Sequence, residues 1–466
     1  MIPTARSPRS ARPPPATRQP GLRRSLGTLS LVFVMFFNVS GGAFTLEGLV
    51  AEVGPGLALA TLALVPLVWS LPEVLLIGEL ASMLPEEGGY YRWVQRAFGE
   101  FWAFQCGWCT WMYSLVDMAI YPVLFNQYLA FFVPGLTGVQ RFGVSLAVIW
   151  GAVAVNLRGA QDVGRASIAA GGAVLLGFFV LACVGALHAA HVPWQPFTRP
   201  GEGVLSGLGV GVSIALWNYI GWDNASTVQG EVVDASRSYP RALAVALPLV
   251  IAAYFLPLVA ALGATDWTTW HEGGWPAIAR AVAGGEGWFA GGLATWIGVA
   301  GLVSALALFN ALLLAYSRIP FTMATDGLLP RALARLDARG TPRNAVLASA
   351  VCYSVCALIP FQGLVVADVL LYALALFLEF AALIQLRRRE PTLRGAFRLP
   401  LGVRGLSMLI ALPLTFFVVA VGLSLLDGDY GLPAVLAAAA AAGLGPLAYA
   451  FARARKASRG SSPGNA

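Results

Sequence analysis

Twelve apolar stretches, most of them near 20 residues, run through this chain, and nothing else in it limits the possible folds as tightly. A helix of about 20 apolar residues spans a hydrocarbon core near 30 Å at 1.5 Å per residue. The runs cover residues 26–51, 57–83, 101–132, 136–157, 166–189, 204–228, 242–264, 288–316, 345–360, 364–386, 406–426 and 432–452. With 58% hydrophobic and 11% charged residues, the chain holds more apolar surface than a water-soluble core can absorb. The expected fold is an all-α polytopic membrane protein with about 12 transmembrane helices.

An even number of crossings puts both termini on one side, and basic residues mark which side. Of the 30 Lys and Arg, 27 fall in the terminal segments and the alternate loops between them; only Arg141, Arg199 and Arg280 fall in the opposite loops. Both termini are therefore expected in the cytoplasm, with the protein in the plasma (inner) membrane. The net charge of +7 then faces anionic headgroups, so the lipid bilayer accounts for it and no nucleic acid is needed. Residues 1–25 read as a disordered basic cytoplasmic arm, 26–452 as a single transmembrane domain and 453–466 as a basic tail. The positive region before residue 26 is too long for a cleaved signal peptide. The longest loops, 265–287 and 318–344, are too short for a soluble domain.

Spans one and six are interrupted near their middles by polar and glycine residues, Asn38-Val-Ser-Gly-Gly42 and Asn218-Tyr-Ile-Gly-Trp-Asp-Asn224. Paired interruptions at corresponding places in two halves point to an inverted-repeat transporter whose unwound backbone lines a solute site. Helix ends exposed at mid-membrane offer N–H groups to a carboxylate and C=O groups to an ammonium or cation. The competing reading of Gly41-Gly42 is close helix packing. Cys106-Gly-Trp-Cys109 has redox-motif spacing but lies within an apolar run without further Cys or His, and reads as packing. No hydrolase triad, phosphate loop or metal cluster stands out, so neither an enzyme nor a cofactor is expected.

An acid costs about 3 kcal/mol at a helix centre on insertion scales, so acids within spans are seldom idle. Asp223, near Trp217 and Trp222, reads as a site for an ammonium group, where aromatic faces and a carboxylate cooperate. Asp117 and Glu47 stand evenly between functional and structural roles. Glu73 reads as a partner for backbone freed at Pro72, and Glu379 as an inner ion pair with Arg387 to Arg389. The sole lysine is Lys456 and the three histidines are peripheral, so Asp117, Asp223 and Glu47 are the candidates for coupling to a co-transported proton. A sodium site through Ser304 is the weaker alternative.

Several stretches together resemble the amino acid–polyamine–organocation (APC) transporter superfamily: 39–47, 79–90, 217–223, 317–330 and Thr341-Pro342. Trp69-Ser-Leu-Pro-Glu73, Asp117 with Tyr121-Pro-Val-Leu-Phe125, and Leu378-Glu-Phe380 look closest to plant-type polyamine uptake transporters and their bacterial relatives. The resemblance implies a LeuT-like fold: a 5+5 inverted repeat with broken helices 1 and 6, plus two extra helices. It also implies backbone donors at Ser40, Gly41 and Gly42, a pocket shaped and gated by Phe44, Trp217, Tyr219 and Trp222, and Asp223 facing the amine. Some proton-coupled relatives carry a lysine in span five that this chain lacks, so their coupling residue does not transfer. The expected function is a secondary active transporter for amino acids or polyamines, taking up a cationic amine with a proton. A neutral amino-acid permease, an exchanger and a solute sensor are the alternatives.

Overall fold

The computed structural model describes residues 22–201, 203–358, 364–426 and 431–460, so most of the basic arm and the end of the tail lie outside the described residues. Span one is two half-helices, α1 (Thr28–Val39) and α2 (Leu46–Val53). Then follow α3 (Pro55–Val65) and α4 (Leu71–Met83), joined by a π-turn over Pro66–Ser70, and the short α5 (Gly89–Phe98). The next helices are α6 (Glu100–Phe132), α7 (Gly138–Asn156) and α8 (Ala160–Leu187). Span six begins as α9 (Val204–Trp217) and resumes as a 3-10 turn over Asn224–Glu231. After it come α10 (Ala235–Ala264), α11 (Trp275–Val282), α12 (Trp288–Tyr316) and α13 (Arg318–Thr325). The last are α14 (Arg343–Cys356), α15 (Leu364–Arg389), α16 (Val403–Leu426) and α17 (Gly431–Gly460).

Among the described residues nine helices are long and apolar enough to cross a membrane. Three expected spans are not among them. Spans one and six are each split by their interruption, and α14, with 14 residues, stops just before residues 359–363, which lie outside the described set. There is no strand among the described residues, only a bridge from Leu26 to Val232. Prolines inside α6 (Pro122) and α10 (Pro240, Pro248, Pro257) are accommodated because neighbouring helices can satisfy the freed carbonyls.

Helix packing repeats when five is added to the span number. Helix α1 packs on α8 and α10, while α9 packs on α15 and α3. Likewise α6 packs on α15 and α14, while α12 packs on α8 and α7. Five crossings per half make the second half run in the opposite sense, the arrangement of an inverted repeat. Its consequence is local: the two broken spans meet at the centre of the bundle.

Candidate functional site

The two breaks touch backbone to backbone. Gly221 has φ +104°, and a Cβ there would lie 2.5 Å from the Asn38 carbonyl, so only glycine lets the chains approach this closely. Gly41 (φ +66°) is equally constrained, with Ser304 Oγ 2.6 Å from where its Cβ would stand. The Ser304 hydroxyl donates to the Gly41 carbonyl at 2.6 Å, and Thr45 Oγ1 donates to Asn218 Oδ1 at 3.0 Å across the breaks.

Around this crossing lies a small cavity between the two breaks, α6, α12 and α15. Helix α6 presents Tyr113, Asp117, Tyr121 and Leu124 to it, a spacing that puts all four on one helix face. Asp117 Oδ1 accepts from Tyr121 at 2.7 Å and Oδ2 from Tyr316 at 2.8 Å. Tyr316 in turn accepts from Asn224 Nδ2 at 3.3 Å, and Asn224 Oδ1 accepts from Tyr113 at 2.9 Å. Asp368 on α15 joins the lining; it is buried, interacts electrostatically with Asp117, and its Oδ1 has no hydrogen-bond partner. Tyr372, one helical turn further along α15, completes an aromatic rim with Tyr113, Tyr316, Phe44 and Trp217. Among the described residues no Lys, Arg or His lines the cavity.

The profile of the family described as amino acid permease matches residues 26–438. The chain belongs to this family. It is 34% identical to polyamine transporter RMV1 of Arabidopsis thaliana over 85% of its own length and 79% of that protein's. Identity to polyamine transporter PUT1 of Oryza sativa subsp. japonica is also 34%, over 87% and 75% of the two chains. The branched-chain amino acid permease BcaP of Lactococcus lactis is 27% identical over 67% and 70%. The protein is thus a membrane transporter and not an enzyme.

In the permease, the residues singled out from sequence are distributed unevenly about the cavity. Ser40, Phe44, Asp117 and Trp217 line it. Gly41 and Gly42 shape the break behind the lining. The N–H groups of Ser40 and Gly41 both donate to the Phe36 carbonyl, at 2.8 and 3.1 Å, and that of Gly42 donates to Ser40 Oγ at 3.1 Å. The implied backbone donors are therefore already committed inside span one. Glu47 is turned away, accepting from Tyr128 at 2.6 Å and from the Gly273 N–H of the outer loop at 3.0 Å. Tyr219 packs edge-on against Tyr254, and Trp222 donates to the Tyr219 carbonyl at 2.8 Å; neither side chain reaches the lining. Asp223 lies behind the rim, bonded to Tyr372 at 2.7 Å.

Two structural readings of acids need correction. Glu73 does not repair backbone near Pro72; its Oε1 accepts from Tyr372 at 2.6 Å. Glu379 is not paired with an arginine, because Arg387 is held by Glu79 and by the Leu399 and Leu401 carbonyls; its carboxyl is turned to Asp223 instead. Sequence reasoning also missed Asp368, although an acid within the apolar run 364–386 is the signal that picked out the others.

Buried ion pairs gather at the end of the bundle where residues 84–92 meet α13. The fully buried Arg318 donates to Glu231 Oε1 at 2.7 Å, with Glu87 at 3.9 Å, and Arg92 pairs with Asp326 at 2.9 Å. Burial and the nearby Glu231 carboxylate push the Glu87 carboxyl in its loop above the usual range, against the pull of Arg318. Toward the outer loops, a recess lined by Glu52, Gln127 and Glu272 shares Thr45, Leu124 and Trp217 with the cavity, so these three side chains form the partition between them.

Proposed function

We propose that this permease carries small cationic amines, polyamines above all, into the cytoplasm together with a proton. One observation carries the reading: Asp117 and Asp368 share a cavity that has no basic lining residue, and one Asp368 oxygen has no partner. Two acids taken out of water are costly unless a cation compensates them, and a dication held between them offsets both charges. The faces of Tyr113, Tyr316, Tyr372 and Trp217 suit methylene chains and ammonium groups alike. The internal bonds of the Ser40, Gly41 and Gly42 N–H groups favour a substrate without a carboxylate. The plant relatives, both named polyamine transporters, support the same class, whereas a neutral amino acid leaves Asp368 uncompensated.

In this reading Asp117, with Asp368, faces the amine, Phe44 and Trp217 close over it, and Asp223 acts from behind Tyr372. The termini are cytoplasmic, the membrane is the plasma (inner) membrane, and no nucleic acid takes part. The test is competition uptake in proteoliposomes with putrescine, spermidine, arginine and leucine, with and without an inward proton gradient. Competition by the polyamines, strengthened by the gradient, is the expected result. A preference for leucine would overturn the reading and make Asp117 structural.

A further inference from the structure

Glu73 on α4, Asp223 at the end of the second break and Glu379 on α15 are buried together on the inner side of the cavity. None of them joins an ion pair among the described residues. Three uncompensated charges at one dry site are not tolerable, so the cluster must hold something positive. Unused polar groups point to the same conclusion. The fully buried Trp69 indole N–H is turned to Glu73 and the Glu379 carboxyl to Asp223, but Trp69, Glu73 Oε2 and both Glu379 oxygens make no hydrogen bond of ordinary geometry.

The geometry around Tyr372 says what the positive species is. Its hydroxyl lies 2.6 Å from Glu73 Oε1 and 2.7 Å from Asp223 Oδ1, while the Gly221 N–H donates to it at 2.9 Å. A phenol has one proton to donate, so the second short oxygen–oxygen contact requires a proton on one of the carboxyls. The other titratable groups turned toward the cluster are the hydroxyls of Tyr90, Tyr113 and Tyr239 and the Cys106 thiol, from α5, α6 and α10. The nearest arginine along α15, Arg387, is committed to Glu79. A monovalent metal ion would leave two charges buried, whereas protons neutralise the acids one at a time.

We propose that Glu73, Asp223 and Glu379 form a proton-binding site distinct from the amine cavity and joined to it through Tyr372, and that the proton held there is the coupling ion. This rests on the reading of the permease as a proton-coupled amine carrier. Asp368, Tyr372 and Glu379 fall on one face of α15, because 11 residues are close to three helical turns, so Glu379 sits about 16 Å from Asp368 along the axis. Tyr372 lines the cavity and touches the cluster. It relays a proton by giving its own to one carboxylate while taking one from the other acid, so one proton moves and the phenol is unchanged.

Two measurements test this with the full-length chain. In nanodiscs, infrared spectra of the wild type at neutral pH should show a carboxylic acid C=O band that Glu379→Gln and Glu73→Gln each diminish and Glu52→Gln leaves intact. In proteoliposomes, one proton per putrescine across a one-unit pH gradient supports about tenfold accumulation. Glu379→Gln should abolish that accumulation and the accompanying proton uptake while keeping putrescine counterflow. Absence of the infrared band, or its persistence in both variants, overturns the proton site whatever the substrate proves to be. Undiminished gradient-driven accumulation in Glu379→Gln, loss of counterflow and accumulation in equal measure, or a sodium gradient replacing the proton gradient overturns the coupling role. A wild type without amine counterflow instead defeats the functional reading, and the infrared result still decides whether the acids hold a proton.

Discussion

Asp117 and Asp368 share a cavity but are held differently, and the difference has measurable consequences. Asp117 is fixed by two tyrosine hydroxyls, whereas Asp368 keeps one oxygen without a partner. Asp368→Asn should therefore perturb the resting cavity little yet weaken putrescine strongly, because truncating one partner of a buried charge pair costs about 2–5 kcal/mol, or roughly 30-fold or more in affinity. Competition assays should show leucine affected far less. Asp117→Asn should likewise reduce uptake of a dication more than that of a neutral amino acid; equal losses would remove its selective role. Cys106 and Cys109, by contrast, are buried free thiols beside Gly107, where a Cβ would stand 3.1 Å from Met323 and Tyr91, so that stretch is explained by close packing.

The broken spans act as elements whose separation is set by glycine. Gly221→Ala places a methyl against the Asn38 carbonyl and a side chain at positive φ, a strain of about 1–3 kcal/mol or more. It should lower the thermal midpoint and push the breaks apart, with transport lost before expression. The inner seal is a second unit, made where the loop after α4 meets the 3-10 turn of span six and the start of α13. Removing one partner of its buried pair by Arg318→Ala leaves Glu231 uncompensated, at about 3–5 kcal/mol. Labelling of a cysteine placed at Ser226, buried behind the seal, should then speed up from the inner side. Folding favours the neutral form of Glu87, so its contribution is full at low pH and declines as pH rises through the raised pKa. Glu87→Gln should flatten that decline in thermal midpoint on the alkaline side.

At the scale of the whole molecule, the cavity is separated from the recess at Glu52 and Glu272 by Thr45, Leu124 and Trp217, while the Arg318–Glu231 pair is buried at the other end of the bundle. Orientation is the property that basic residues predict. A cysteine at Val139, which is 84% exposed, should react with an impermeant thiol reagent on intact cells. One at the exposed Arg339 should react only after the cells are opened. Reversal of the two, measured against the parent chain, would invert the assigned topology.

The sequence alone determined the solvent of the fold, the split of basic residues between two faces, the two interruptions and the family. Each is a local property: apolar length, charge placement and backbone-breaking residues act within one helix or loop. Helical spacing along α6 puts Tyr113, Asp117 and Tyr121 on one face. It could not show what that face meets. Tyr316 and Asp368, separated from Asp117 by 199 and 251 residues, reach it only because α12 and α15 both pack on α6. Glu47, Glu73, Asp223 and Glu379 are each an acid in an apolar run, and the sequence separates them only by chain neighbours: Trp217 and Trp222 for Asp223, Pro72 for Glu73, Arg387 to Arg389 for Glu379. Packing alone decided that Glu47 turns to the Gly273 loop while Glu73 and Asp223 meet at Tyr372 with Glu379 beside them, since a side chain's partners belong to the neighbouring helix and not to its own.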